Sequence, residues 1–139
     1  MKKFLLPLLL SFCVMLLFGC QEKEMTLLDD ISSISISKSY GYGGVNGNYF
    51  TVIDQDTLTS KLQRVLKNAE GKRKRVNVEK EKPDYDIVID YKNGETHLLN
   101  LILGNEGEKS RVMYVGHENN GFDIPSEDTK ILREIIKNQ

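Results

Sequence analysis

Tyr85-Asp-Ile-Val-Ile-Asp-Tyr-Lys-Asn-Gly94-Glu-Thr-His-Leu-Leu-Asn-Leu-Ile-Leu103 decides the fold of this chain. Two runs rich in β-branched, aromatic and leucine residues meet at Asn93-Gly94, the strongest short signal for an antiparallel hairpin. A two-residue turn there pairs Lys92 with Glu95, Asp90 with His97, Ile89 with Leu98 and Val88 with Leu99. One face then carries Tyr85, Ile87, Ile89, Tyr91, Leu98 and Ile102, with Asn100 as the exception, and is the expected core. The other carries Asp84, Asp86, Asp90 and His97, but also Val88, Leu99, Leu101 and Leu103. The opposite-charge pairs Lys92 with Glu95 and Asp90 with protonated His97 favour this register. A solvated face seldom holds three leucines. Either the tether or a partner covers it, or a bulge reverses the phase.

Outward from the hairpin, Ile34 and Ile36 alternate with Ser33, Ser35 and Ser37, the pattern of a half-buried strand over 31–39. Tyr40-Gly-Tyr-Gly-Gly-Val-Asn-Gly-Asn48 is a glycine-rich turn, and 49–53 reads as the returning strand. Asp54 or Asp56 is placed to cap a helix whose apolar positions Leu58, Leu62, Val65, Leu66 and Ala69 share one face, with Gly71 as its stop. Residues 72–83 form a charged connection with room for a short strand at 76–78. Strands are expected at 110–115 and, briefly, 121–124. A last helix begins at Ser126, with Glu127 and Asp128 in its first turn, Lys137 near its end, and Ile131, Leu132, Ile135 and Ile136 on one face. The sum is an α+β domain over 31–139: a mostly antiparallel sheet of about five strands with two helices packed on one face.

The N-terminus carries a different kind of information. Lys2 and Lys3 precede an apolar run from Phe4 to Phe18, which closes on Gly19-Cys20. Such a start and run match a secretory signal peptide over 1–19. A cysteine directly after the small residue resembles the lipobox of bacterial lipoproteins. That resemblance implies a diacylglyceryl group, with or without an N-acyl chain, on Cys20 after cleavage. The run is shorter than the roughly 20 residues that span a bilayer, and Pro7 interrupts it. Residues 20–30 are then the lipidated cysteine and a short tether. Without 1–19, Lys2 and Lys3 leave the 19 basic residues, so 17 stand against 20 acidic ones. No nucleic-acid partner is implied. Cys13 is discarded and Cys20 lipidated, which excludes disulfides, multi-cysteine zinc sites and cysteine nucleophiles from the mature domain.

The candidate chemistry is sparse. Asp84, Asp86 and Asp90 lie on one side of a strand, but about 13 Å separates the last two. No calcium-loop pattern surrounds them, so solvated carboxylates are expected and no metal. His97 and His117 show no ligand spacing, and no serine nucleophile is identifiable beside either. The glycine stretch lacks a following Gly-Lys-Ser/Thr and is no phosphate loop. Its tyrosines Tyr40, Tyr42 and Tyr49 suit either a plain hairpin tip or a small binding loop. Lys72-Arg73-Lys74-Arg75 reads as a solvated connection, or as a contact for anionic lipid or wall polymer.

The order of strand, helix, Pro83-Asp-Tyr-Asp-Ile-Val-Ile-Asp-Tyr-Lys-Asn-Gly94, leucine-rich strand and final helix is similar to the small YhfM-like lipoproteins of Gram-positive, bacillus-like bacteria. The resemblance implies a surface lipoprotein with no assigned catalytic residues. The expectation is therefore a monomeric, non-enzymatic binding or accessory module. It is held by its lipid on the extracytoplasmic side of the cell membrane, or of an outer membrane where the cell has two. It needs no cofactor. Its partner is an envelope protein or a saccharide, contacted through Tyr40, Tyr42, Tyr49, Val88, Leu99 and Leu101. The alternative is an envelope enzyme or a small-ligand sensor built around Asp90 and His97.

Overall fold

The hairpin forms, but its turn holds three residues rather than two. In the computed structural model, which describes residues 26–138, strand β4 (Tyr85–Tyr91) pairs with β5 (Thr96–Ile102) so that Ile89 faces His97, Val88 faces Leu98 and Ile87 faces Leu99. Gly94 takes φ 87°, and the Tyr91 N–H donates to the Glu95 carbonyl at 2.9 Å. A glycine in the left-handed region closing a three-residue loop slips the expected register by one residue. One residue of slip exchanges the faces of the second strand. Leu99 and Leu101, expected on the contact face, are therefore fully buried in the core, and Leu98 is 37% exposed on the other side. The tertiary fit favours this register because it moves Asn100 off the apolar face and gives it Asp86 opposite. A buried amide without a partner would cost about 1–3 kcal/mol.

Around the hairpin the sheet has seven strands rather than five. They are β1 (Ile31–Lys38), β2 (Thr51–Ile53), β3 (Arg73–Arg75), β4, β5, β6 (Ser110–Tyr114) and β7 (Asn120–Ile124), ordered β2-β1-β4-β5-β6-β7-β3 and antiparallel at every junction. The short strand expected at 76–78 is instead the basic run itself, laid along β7 as an edge. Ile31 and Ile34 both reach the core although three residues apart, because the pairing of β1 with β4 shifts between Ile31 and Ser33.

Helices α1 (Asp56–Ala69) and α2 (Ser126–Lys137) cover one face. Their apolar residues Leu62, Val65, Leu66 and Ala69, with Leu132 and Ile135, close over Ile34, Ile36, Ile87, Ile89, Leu99, Leu101, Val112 and Ile124. The expected caps sit one step off. Gln55 and Pro125 are the N-cap residues, so Asp56 and Ser126 lie inside the first turns, where Asp56, Glu127 and Asp128 complement the helix dipoles. The folded unit also begins earlier than expected. Leu27 is buried in the core and its N–H donates to the Glu70 carboxylate at 2.8 Å. Thr26–Asp30 thus lies against the domain through Leu27 and Leu28. No helix among the described residues is long and apolar enough to cross a membrane. Cys20 and the expected signal peptide lie outside the described residues.

Candidate functional site

The second face of the sheet answers the question raised by its composition. Ser37, Asp86 and Asn100 form one in-register row across β1, β4 and β5. All three are buried, at 0%, 1% and 0% exposure, so Asp86 is not the solvated carboxylate expected. What covers them is the glycine-rich loop, folded back over the sheet. The Asn46 N–H donates to Asp86 Oδ2 at 2.7 Å, and Asn100 Nδ2 donates to Asp86 Oδ1 at 2.8 Å. Asn100 Nδ2 also reaches the Gly44 carbonyl at 3.3 Å. Gly41 and Gly43 take φ 130° and 92°, backbone that other residues adopt only under strain, and this lets the loop turn back. The Gly43 N–H donates to Glu118 Oε1 at 3.2 Å, and the same oxygen accepts the Gly116 N–H at 2.9 Å.

Two oxygens of the row lack partners. Ser37 Oγ and Asn100 Oδ1 are buried and make no hydrogen bond. The Asn100 amide is oriented by its bond to Asp86, since turning it over would set oxygen against carboxylate. A buried acceptor left open is costly, and it marks a place where a donor group fits. A groove of about 270 Å³ is lined by Tyr40 to Asn46 with Asp86 as its floor, and Ser37 and Asn100 flank Asp86 in the row beneath without lining it.

The aromatic residues of the loop divide by environment. Tyr40 is 85% exposed and Tyr49 40% exposed, while Phe50 stacks edge-on against Tyr85 at 6.0 Å. Tyr42 lies half-buried, with its hydroxyl donating to the Glu81 carbonyl and Lys82 Nζ 5.8 Å from its ring. Burial, then the Glu81 and Glu118 charges, push its phenol up. Val88 is buried on this same second face, beside Ser35 and Leu98. Of the six expected contact residues, the structure gathers Tyr40 and Tyr42 at the groove, leaves Tyr49 exposed on the adjoining segment, buries Val88 on that side and sends Leu99 and Leu101 to the opposite face.

Asp90 and His97 do not meet. Asp90 accepts from Thr96 Oγ1 at 2.9 Å on the second face. His97 points to the helix-covered side, where Nδ1 lies 2.9 Å from the Tyr91 hydroxyl and the ring packs between Tyr91 and Tyr114. Both histidines line a separate groove of about 490 Å³ with Thr26, Leu28 and Tyr114. Burial pushes the Tyr114 phenol up to about 12, and its hydroxyl donates to the Thr26 carbonyl at 3.0 Å. Among the described residues no three His, Cys, Asp or Glu side chains are grouped to hold a metal ion.

The YhfM protein family model matches residues 29–139. The chain belongs to the YhfM protein family. The match covers the whole sheet and the glycine-loop groove, while Thr26 and Leu28 of the second groove precede it. In three dimensions the chain is similar to a thioesterase-like protein from Clostridium sporogenes ATCC 15579, with a TM-score of 0.64 and 22% sequence identity over 82% of this chain and 100% of that one. At that identity the likeness is one of fold. Comparison with curated proteins returns no match.

Sequence reasoning found the loop but missed its floor. The available signal was Asn100, a lone amide in the run Leu98-Leu99-Asn100-Leu101-Ile102. A polar residue kept among four such neighbours indicates a partner, which the expected register hid by setting Asn100 on the core face.

Proposed function

We propose that this protein is a lipid-anchored, extracytoplasmic binding module that takes a polyhydroxylated envelope saccharide in the groove between the glycine loop and Asp86. The observation that carries the reading is the buried Ser37–Asp86–Asn100 row with two open oxygens beneath an aromatic-rimmed loop. Saccharide hydroxyls donate and accept in close succession, which suits the Asp86 carboxylate and the loop peptide groups that line the groove. A sugar's apolar C–H face suits an exposed ring such as Tyr40, a body of apolar surface with a polar tip. The anchor reading rests on the run from Lys2 to Cys20.

Non-enzymatic binding is the favoured activity because the alternative pair, Asp90 and His97, is divided between the two faces of the sheet. The thioesterase-like neighbour leaves a catalytic reading open, and His97 beside Tyr91 is where it would be sought. Soluble envelope glycan fragments titrated into the lipoprotein, followed by calorimetry, test the proposal. Wild-type protein is expected to bind, and Tyr40→Ala to weaken binding by about tenfold, the effect of roughly 1.4 kcal/mol, without loss of thermal stability. Equal affinity of the two proteins overturns the site. Hydrolysis of acyl thioesters that is abolished in His97→Ala would replace binding with catalysis.

A further inference from the structure

The strongest charge run takes a specific place in the fold. Residues 71–75 are exposed, and Arg73, Lys74 and Arg75 form the edge strand β3 along β7. With Asn119 and Asn120 they line an open groove of about 580 Å³ whose walls, among the described residues, are cations and amides. Basic side chains on a strand edge discourage pairing with another sheet, which explains charge but not an anion-sized groove. Arg73 and Arg75 stand opposite Phe122 and Asn120, so they belong to the helix-covered side of the sheet. Thr26 and Leu27, the first described residues, lie on that side. Leu27 is tied to Glu70, the C-cap of α1, and only Gly71 and Lys72 separate Glu70 from β3.

We propose that β3 docks on anionic phospholipid headgroups beside the lipid anchor, an inference that rests on the anchor reading. Five residues separate Cys20 from Thr26, and the six steps between them reach at most about 21 Å. The basic groove and the membrane surface are therefore held within a short distance of each other by covalent structure. Lysine and arginine side chains near a negatively charged leaflet are attracted to it, and the attraction is lost beyond a screening length of roughly 8–10 Å. A tether of that reach lets the patch come inside that range. Docking there sets one edge of the sheet against the membrane and fixes which way the second face looks.

The test uses the full lipoprotein reconstituted in vesicles of phosphatidylcholine, alone or mixed with phosphatidylglycerol, and footprinted with a water-soluble lysine acylating reagent. Lys74 is expected to react several-fold more slowly on the mixed vesicles than on phosphatidylcholine. Lys109 and Lys130, exposed elsewhere, are expected to react equally on both. The protection is expected to vanish in the Arg73→Gln/Arg75→Gln double variant and in high salt. Equal Lys74 rates on the two vesicle types, or protection of all three lysines together, overturns the docking while leaving the anchor in place. A chain recovered without the diacylglyceryl mass on Cys20 overturns the anchor, and this docking with it.

Discussion

Asp86 is a buried carboxylate whose two oxygens are held by the Asn46 N–H and the Asn100 amide. Asp86→Ala orphans the Asn46 N–H and leaves Asn100 Nδ2 only the longer bond to the Gly44 carbonyl, and is expected to cost about 1–3 kcal/mol in denaturant unfolding. Ser37→Ala removes an oxygen that has no partner, so it is expected to be neutral or slightly stabilising. If Ser37→Ala instead costs as much as Asp86→Ala, the row is not open in the way described. Tyr114 supplies a pH test. Burial holds its phenol at about 12 in the folded protein, above the usual value of about 10. The folded state thus keeps the proton that the unfolded chain releases. The stabilisation is complete below about pH 10 and is lost as pH rises toward 12. Phenolate absorbance is expected to show a late-titrating step that disappears in Tyr114→Phe.

At the scale of the element, the hairpin register decides which leucines are structural. Leu99 is fully buried between the strands and the helices. Leu99→Asp is expected to destabilise by more than about 4 kcal/mol, since it places an unpaired charge in the core. Leu98→Asp, one residue away and facing solvent, is expected to cost less than about 1 kcal/mol. Chemical denaturation of the two variants checks the slip directly, because the two-residue turn predicts the reverse order. Two glycines allow close approaches of another kind. A side chain at Gly121 would meet Arg111 Cδ and Val76 Cγ2 at 2.6 Å. Arg111 lies across that position to reach Asp123 at 2.8 Å and Glu81 at 2.5 Å. Gly104 is tighter, with the Lys109 carbonyl 2.3 Å from the position a Cβ would take. That obstacle is backbone and cannot swing aside.

For the molecule as a whole, long-range pairing dominates. β1 joins β4 across the intervening loop, β2 and α1, and β3 closes onto β7 from more than forty positions away. Such topology raises the loop-closure cost of the first native contacts. Folding is expected on the millisecond-to-second scale in stopped-flow measurements, rather than in microseconds. Leu27, docked from outside the sheet, ties the exit of the chain to this core, and Leu27→Ala is expected to loosen the N-terminal segment as seen by hydrogen exchange.

The α+β class, the two amphipathic helices and the antiparallel hairpin were all legible in the sequence, because periodicities of 2 and 3.6 and an Asn-Gly turn are local properties of the chain. Tyr40 and Tyr42 were legible as loop residues for the same reason. The face each leucine occupies was not. A turn of two residues and a turn of three both satisfy Asn93-Gly94, and the choice between them rests on what Leu99, Leu101 and Asn100 meet across the sheet. The edge strand β3 was equally hidden, since three basic residues carry too little pattern to declare a strand before β7 pairs with them, whereas β2 was legible as the returning strand over 49–53. The buried row of Ser37, Asp86 and Asn100 exists only once three strands stand in register and the glycine loop folds over them. Composition and spacing determined the elements; packing decided the register, and the register decided the site.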